Sequence, residues 1–336
     1  MNVLVTGSAA CLAKVLIPRL LDHDSISQVI GVDLRQSTLQ HPKYQEHILD
    51  IRSPQLAGLL TTTDTVIHLA FIVNSGTLGA QRFDLDHIYS NNVEGSCNVF
   101  ELARQQKVAS IIHLSSAVVY GINGAVDSGT VDNRTVNNGT ADGNVNTSTN
   151  NPSYMTESQP LQSIPGFHYS EHKVAVEQWL DAFETLPHAP RVVRLRPHAI
   201  LGENAQPLLK QLLAQPFSFS FPDPQPLTQC VWEQDVATAI VNAALNDNVH
   251  GSYNLATDEV ASFHFIHHHV HKYSIPMPHA LLKQLHKFCW RYTGALGEPG
   301  WMASMQQGLT VDNAKAQQDL SWRPTLNLFE CLDATL

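Results

Sequence analysis

The sequence predicts an α/β fold, a doubly wound parallel sheet with helices on both faces. Short apolar runs of strand length alternate with longer runs of helical period through residues 1–200. The chain opens with a strand, a turn, a helix, a second strand and an acid, at residues 3–5, 6–10, 12–21, 29–32 and 33. That order is typical of a dinucleotide-binding unit, in which the pyrophosphate lies at the helix N-terminus.

The composition is that of a globular protein with an acidic surface. Of its 336 residues, 43% are hydrophobic and 15% are charged, and the formal net charge is −10 at pH 7. We therefore expect neither a nucleic-acid partner nor an anionic membrane surface. No apolar run is long enough to span a bilayer, and Met1 leads into a strand without a basic or cleavable leader. The cysteines lack C-x-x-C spacing, which predicts neither a disulfide framework nor a zinc site and favours a cytoplasmic location.

Asp33 closes the second strand and is the candidate partner of the adenosine ribose. Its carboxylate can accept hydrogen bonds from the ribose hydroxyls and would repel a 2′-phosphate, so we expect NAD rather than NADP. Arg35, two residues further on, leaves NADP open because its cation could bind that phosphate.

Tyr169 and Lys173 are four residues apart at the start of a predicted helix and would lie on the same face. An ammonium beside a phenol favours the phenolate and lowers the tyrosine pKa toward neutral pH. Such a pair predicts a general acid/base for the interconversion of an alcohol and a ketone. Taken alone, the spacing favours the start of an ordinary amphipathic helix, so the prediction depends on the other motifs of a dinucleotide enzyme.

Further motifs accompany this pair: T-G-S-A-A-C-L-A at residues 6–13, S-S-A-V-V-Y-G at 115–121, R-P-H-A-I-L-G at 196–202 and L-S-W-R-P at 320–324. Together they resemble the extended short-chain dehydrogenase/reductases, the NAD-dependent epimerase/dehydratase family. The glycine motif of that family is T-G-x-x-G-x-x-G, of which only Gly7 is retained here. Ala13 is a mild change. Ala10, however, places a methyl group where the backbone approaches the pyrophosphate, so we expect weakened or displaced cofactor binding.

The resemblance implies NAD as the cofactor and Ser116, Tyr169 and Lys173 as the catalytic set. Ser116 would orient the substrate alcohol, Tyr169 would exchange its proton, and Lys173 would tune Tyr169 and bind the nicotinamide ribose. Asp50 would lie beside the adenine, with the capping of the following turn as the alternative. The implied cofactor contacts are Gly7, Ala10, Cys11, Leu12, Asp33, Arg35, Asp50, Ile51, Leu69, Ala70, Asn92, Tyr169, Lys173 and Pro197.

The resemblance also divides the chain. It places a dinucleotide-binding (Rossmann) domain at residues 1–200, completed by about 228–257, and a smaller C-terminal substrate-binding domain at 201–227 and 258–336. Residues 122–166 are rich in Asn, Thr, Ser, Gly and Asp and lack apolar periodicity, so we expect a long loop near the active-site mouth. This loop is either a lid that orders over the substrate or a tolerated surface insertion.

Histidines outside these motifs are interpreted as structural. His68 lies within an apolar run, where a buried structural role is favoured over catalysis. Five more crowd one segment, with some at the i,i+4 spacing that zinc can use: His264, His267, His268, His269 and His271. Because no carboxylate cluster or cysteine pair lies nearby, we favour a polar helix face and predict no metal.

The motifs predict an NAD-dependent oxidoreductase or epimerase that acts on a secondary alcohol or ketone carbon. By resemblance the substrate is a nucleotide sugar, with a hydroxysteroid-like or other small hydroxy compound as the alternative. The rival from another class is a sensor or scaffold that keeps the fold without efficient cofactor use. It is favoured by Ala10 and Ala13 and opposed by the complete catalytic set.

Two further expectations concern partners. The family often dimerises through the helices that contain residues 92–104 and 169–183, so we expect a homodimer. Few cations in the second half could bind a diphosphate, and the candidates are Arg194, Arg196, Lys210, Lys283 and Lys287.

Overall fold

The computed structural model describes residues 1–73, 84–121, 154–220, 226–293, 298, 300–301, 305 and 308–336. Its central feature is a parallel sheet of seven strands in the order β3-β2-β1-β4-β5-β6-β11. These strands are β1 Asn2–Thr6, β2 Gln28–Asp33, β3 Tyr44–Ile48, β4 Thr65–His68, β5 Ser110–Leu114, β6 Arg191–Pro197 and β11 Gly251–Leu255. The order reverses between β1 and β4, which opens a crevice at the carboxyl ends of those strands. The predicted doubly wound sheet is confirmed.

The remaining strands are short and pair two by two: β7 Ile200–Leu201 with β10 Val231–Trp232, β8 Phe217–Ser220 with β13 Tyr273–Pro276, and β9 Leu227–Thr228 with β12 Ala261–Ser262. The α-helices are α1 Ala13–Leu21, α2 Leu56–Leu60, α3 Leu85–Tyr89, α4 Gly95–Gln105, α5 His168–Phe183, α6 Pro207–Ala214, α7 Glu233–Leu245, α8 Phe263–His269, α9 His279–Thr293, α10 Ala314–Asp319 and α11 Leu328–Asp333. A π-helical turn, Ser90–Glu94, joins α3 to α4, and a 3₁₀ turn, Ala117–Tyr120, follows β5.

The sheet separates two apolar cores because successive side chains of a strand point to opposite faces. In β1, Val3 and Val5 pack with α1 and α7, whereas Leu4 packs with α2, α4 and α5. Helices therefore cover both faces, as a buried parallel sheet requires. Helix α5 lies directly across β5 and β6, and this places its first turns beside the carboxyl ends of those strands.

Part of the C-terminal segment belongs to the first of these cores. Leu320 and Trp322 are buried with α1 and α7, and the Trp322 indole donates to the Asp235 carbonyl over 2.8 Å. Leu328, Cys331 and their neighbours form a separate cluster with β7 and β10. The division into a dinucleotide domain and a smaller substrate domain stays a prediction.

Residues 122–153 of the predicted insertion lie outside the described residues. Its final part, from Tyr154, packs on the body of the protein: Met155 is buried, pairs with Val311 and accepts from the Asn254 amide over 3.0 Å. That part of the predicted loop is thus fixed by apolar burial and backbone hydrogen bonds. None of the helices in the described ranges is long and apolar enough to cross a membrane.

Candidate active site

A cavity of about 360 Å³ opens at the carboxyl ends of β1, β4, β5 and β6. Ala10, Cys11 and Leu12 of the glycine turn line one end, and Leu69 and Pro197 lie at strand ends below them. Ser116, Tyr169 and Lys173 line the same cavity. The structure therefore brings the predicted catalytic residues and the first turn of the dinucleotide unit to one place.

The turn after β1 depends on Gly7. Its φ of +72° lies in the left-handed region, and a Cβ there would meet the Ala70 nitrogen at 2.6 Å. The Gly7 amide donates to the Val32 carbonyl over 2.8 Å and ties the turn to β2. Gly7 and Ala70, both predicted cofactor contacts, thus have their backbones in mutual contact at the floor of the turn.

Asp33 and Arg35 lie at the outer end of this turn. Asp33 accepts from the backbone amides of Ala9 and Arg35, each over 3.0 Å. The Arg35 guanidinium is 3.6 Å from the Asp33 carboxylate but leaves 71% of its side chain exposed. The guanidinium also donates to the Ala9 carbonyl over 3.2 Å. The carboxylate is therefore fixed by the turn, whereas Arg35 crosses the turn from its exposed side.

Asp50 and Ile51 follow β3. The Arg52 amide donates to Asp50 over 2.8 Å, and the Arg52 guanidinium pairs with the same carboxylate at 2.5 Å, which lowers the Asp50 pKa. These are the contacts of the turn-capping alternative. Ile51 is buried against Gly95 of α4. A role for either residue beside the adenine stays a prediction.

Asn92 holds the chain that leaves β4. Its side-chain oxygen accepts from the Ile72 amide over 2.7 Å, and its nitrogen donates to the Ile72 carbonyl over 2.9 Å. Asn92 is fully buried and belongs to the π-helical turn, whose irregular backbone turns the side chain toward the strand end. It thereby holds the chain that leaves β4 beside the cavity. The contact of Asn92 with the cofactor stays a prediction.

The catalytic candidates form one connected group. Ser116 and Tyr169 line the same cavity wall, and the nearby Ser116 hydroxyl acts to lower the pKa of the Tyr169 phenol. The Lys173 ammonium donates to the Leu114 carbonyl over 2.6 Å and lies 3.6 Å from the centroid of the Phe71 ring. From the Tyr169 ring centroid it is 5.8 Å away.

The expected effect of Lys173 on Tyr169 is not what this structure shows. Burial raises the pKa of Tyr169, and only the nearby Ser116 hydroxyl opposes that rise. Burial also lowers the pKa of Lys173 to about 7, with the charge of Glu177 acting in the opposite direction. The prediction of a lowered tyrosine pKa was wrong for this arrangement, because the ammonium contacts Leu114 and Phe71 rather than the phenol oxygen.

Two arginines proposed as diphosphate ligands are already paired. Arg196 donates to both carboxylate oxygens of Glu177, over 2.9 and 2.5 Å, and Arg194 donates to Asp181 and Glu184 over 2.5 and 2.6 Å. Both guanidinium groups are buried beneath α5 rather than open to the cavity. Arg194 and Arg196 are therefore not available as diphosphate ligands. If either arginine turned toward a substrate, it would leave its carboxylate partner without a counter-ion.

The other proposed cations also lie away from the cavity lining. Lys210 donates to the Glu203 carbonyl over 2.9 Å, and Lys283 and Lys287 are exposed on α9. Among the residues that the structure describes, Lys173 is the only lysine or arginine that lines the cavity.

Sequence reasoning missed the buried carboxylate beneath the catalytic pair. Glu177 follows Lys173 by one helical turn, is fully buried, and accepts from the Ser115 hydroxyl over 2.5 Å. Its position at i+4 from Lys173 was visible in the sequence and could have marked it as part of the same face. Its partners could not be read from spacing, because they come from other strands.

His68 is buried between Thr6 and Ser96, with ring nitrogens 2.7 and 2.8 Å from their hydroxyls. Burial lowers its pKa to about 3. These contacts are those of the structural interpretation.

The histidine-rich segment forms α8, where His269 contacts Asp333 at 2.7 Å and His267 is buried. No group of three possible metal ligands occurs within the described ranges.

Solved structures share this fold. MoeE5 in complex with UDP-glucose and NAD is similar with a TM-score of 0.71 at 20% identity, covering 100% of this chain and 97% of that chain. UDP-glucuronic acid 4-epimerase from Bacillus cereus in complex with NAD has a TM-score of 0.70 at 20% identity, covering 99% and 97%. The UDP-glucose 4-epimerase of Thermus thermophilus in complex with NAD has a TM-score of 0.68 at 19% identity, covering 100% and 97%.

A curated relative is the polyketide synthase-nonribosomal peptide synthetase ffsA of Aspergillus flavipes, which is 25% identical over an alignment of 281 residues that covers 74% of this chain. The chain spans 6% of the length of that relative. The family match is broader: residues 3–256 match the NAD dependent epimerase/dehydratase family. This match confirms the family expected from the motifs: the chain belongs to the NAD dependent epimerase/dehydratase family.

Proposed function

We propose that this chain oxidises and reduces a secondary alcohol carbon with the catalytic set Ser116, Tyr169 and Lys173. The observation that carries the proposal is that Ser116, Tyr169 and Lys173 line one wall of the same cavity, with the Lys173 ammonium 5.8 Å from the centroid of the Tyr169 ring. Ser116 would hold the substrate oxygen, and Tyr169 would take the hydroxyl proton as the carbon is oxidised. Bound NAD supplies the hydride acceptor for that carbon.

The residues of the turn fit a dinucleotide. Gly7 keeps the turn free of a side chain where the backbone of Ala70 approaches, and Asp33 offers a fixed carboxylate at the end of β2. Ala10 lines the cavity and stands at the motif position where the backbone approaches the pyrophosphate, so its methyl group would crowd that approach. This supports NAD over NADP and an affinity below that of a full glycine motif.

The leading substrate class is a nucleotide sugar. The support is the similarity to structures that hold UDP-glucose or UDP-glucuronic acid with NAD. With such a substrate, oxidation to the ketone and return of the hydride to its opposite face would invert the configuration of that carbon. A dehydrogenase would instead release the ketone.

A small hydroxy compound is the second candidate. Apolar side chains dominate the substrate side of the cavity, among them Phe71, Phe167, Leu209 and Trp301. Lys173 is the sole lysine or arginine lining it in the described part of the chain. A diphosphate needs cationic partners, so this lining favours an uncharged alcohol.

The experiment is a turnover assay with NAD on UDP-glucose, UDP-glucuronic acid and a panel of uncharged secondary alcohols. Wild-type protein should turn over one of these classes, and Tyr169→Phe should lose about 10²–10⁴-fold in kcat while still binding NAD. Tyr292→Phe, at an exposed tyrosine, is the matched control. The sensor interpretation predicts the reverse outcome, a ligand response that Tyr169→Phe leaves intact.

We also propose a homodimer that forms through α4 and α5. These helices pack together through Phe100, Trp179 and Phe183, which makes them one surface on the same side of the sheet. Analytical ultracentrifugation at micromolar concentration should show a dimer, and a monomer would contradict this. A cytoplasmic location stays a prediction.

A further inference from the structure

The strand end that carries Ser116 meets α5 through three consecutive residues. The Leu114 carbonyl accepts from Lys173, the Ser115 hydroxyl donates to Glu177, and the Ser116 hydroxyl lies near Tyr169, whose pKa it acts to lower. The three helix residues are spaced by four and share one face of α5. The geometry of the catalytic group therefore depends on all three contacts.

Glu177 is the central contact of this set. It is fully buried, and its two oxygens accept from Ser115 over 2.5 Å and from Arg196 over 2.9 and 2.5 Å. Arg194 adds a second cation at 3.7 Å. These three partners hold the Glu177 carboxylate in one orientation. The carboxylate in turn fixes Ser115 to α5.

Arg196 extends the same network away from the cavity. It donates to the Tyr120 hydroxyl over 2.9 Å, and Tyr120 donates to Asn254 over 2.7 Å. Tyr120 belongs to the turn that follows Ser116, so both sides of Ser116 are held. Ser116 itself accepts from the Val118 amide over 3.3 Å.

We propose, building on the proposed function, that Glu177 is a positioning residue for the catalytic set. Through Ser115 it fixes the strand end that presents Ser116 to Tyr169, and its negative charge lies one helical turn from Lys173 on the same face of α5. It touches neither substrate nor cofactor.

Few ionisable groups surround the Lys173 ammonium and affect its charge. Around Lys173, the ionisable side chains are Tyr169 and Glu177 on α5, His68 on β4 and His113 on β5. Burial lowers the pKa of both histidines far enough to leave them neutral at pH 7. Glu177 is thus the anion that opposes the burial of the Lys173 ammonium. The cations Arg194 and Arg196 of β6 lie on the other side of that carboxylate.

The test uses three variants of the full chain. Glu177→Gln removes the charge and keeps an oxygen that Ser115 can bond. Ser115→Ala removes the hydroxyl and keeps the charge. Asp181→Asn is the matched control, because Asp181 is a carboxylate of the same helix that pairs with an arginine of the same strand but is 60% exposed.

The first readout is the titration of Lys173, followed by NMR of lysine labelled with ¹³C at Cε and assigned with Lys173→Met. Glu177→Gln should lower the Lys173 pKa by about one unit relative to wild type, because the neutral amide no longer opposes burial and Arg196 is left unpaired. Ser115→Ala and Asp181→Asn should titrate as wild type. An unchanged titration in folded Glu177→Gln would overturn the proposal.

The second readout is kcat. Ser115→Ala should lower it about tenfold with the Lys173 titration unmoved, since only the placement of Ser116 changes. Wild-type kcat in Ser115→Ala would overturn the positioning role even if Glu177→Gln does not fold. The titration needs no substrate. If the wild type shows no turnover but Glu177→Gln still lowers the Lys173 pKa, the proposed function is refuted and the effect of Glu177 on Lys173 stands.

Discussion

The two ends of the cavity are held in different ways. At the catalytic end, Ser116, Tyr169 and Lys173 are tied to β5 and α5 by hydrogen bonds and, through Glu177, by buried charges. At the cofactor end, the turn relies on the backbone of Gly7 and on the Asp33 carboxylate, and the other two glycines of the motif are alanines. Proton transfer requires catalytic side chains that are held in one position. A cofactor bound through many contacts can still bind when the glycine motif is incomplete.

The largest effect is expected at the catalytic end. Ser116→Ala should lower kcat about 10²–10³-fold and leave NAD affinity near wild type, because it removes one group that orients the reacting oxygen. Steady-state kinetics measures the change in kcat, and calorimetric titration with NAD measures the affinity for the cofactor separately. Ser158→Ala, at an exposed serine, is the control, and a matching loss of NAD affinity would break the distinction between the two ends.

At the cofactor end, Gly7→Ala should lower the free energy of unfolding by about 2 kcal/mol, because its φ of +72° and the close Ala70 nitrogen exclude a Cβ. NAD affinity should fall with it. Gly58→Ala in α2 is the matched control, since a Cβ there meets nothing within 4 Å and should stabilise by up to about 1 kcal/mol. Urea unfolding of both variants measures the difference, and equal stabilities would contradict the role of Gly7.

The strands beneath the catalytic end carry buried histidines, whereas β1 and β2 carry none. His68 has its pKa lowered to about 3 in the folded chain, so the unfolded chain binds the extra proton below about pH 6.5. Stability should therefore be lost as pH falls from 6.5 toward 3, by about 1.4 kcal/mol per pH unit for this group. His68→Gln should flatten that slope in urea unfolding at several pH values, and His268→Gln, at an exposed site, should not. A slope equal to wild type in His68→Gln would count against the buried neutral ring.

The smallest effect is expected from Ala10→Gly. Removing the methyl group should tighten NAD binding by up to about tenfold, because the backbone can then approach the pyrophosphate. Ala13→Gly, at the packed start of α1, should leave NAD affinity near wild type and cost up to about 1 kcal/mol of stability. Unchanged affinity in Ala10→Gly would show that the alanine is already accommodated.

The sequence was sufficient for the order of elements around the cavity. The period of the apolar residues and the family motifs located β1, the turn, Asp33, Ser116 and α5 correctly. These features are local, since each is set by spacing along one element.

Partnerships between distant elements could not be predicted. Arg194 and Arg196 looked available among the cations of the second half, but β6 runs beneath α5 and pairs them with its carboxylates. The pKa of Tyr169 was misjudged for the same reason, because burial and the direction of the Lys173 side chain depend on the packing of β5, α5 and Phe71. The cofactor roles of Asp50, Asn92 and Pro197 stay predictions.

The most direct test of this account is a calorimetric titration of the purified protein with NAD and, separately, with NADP, after removal of any co-purified nucleotide. The account predicts micromolar binding of NAD and much weaker binding of NADP, because Asp33 is fixed at the ribose end of the turn and repels a 2′-phosphate. A preference for NADP would move the ribose contact to Arg35. Folded protein that binds neither would contradict the account and favour the sensor interpretation.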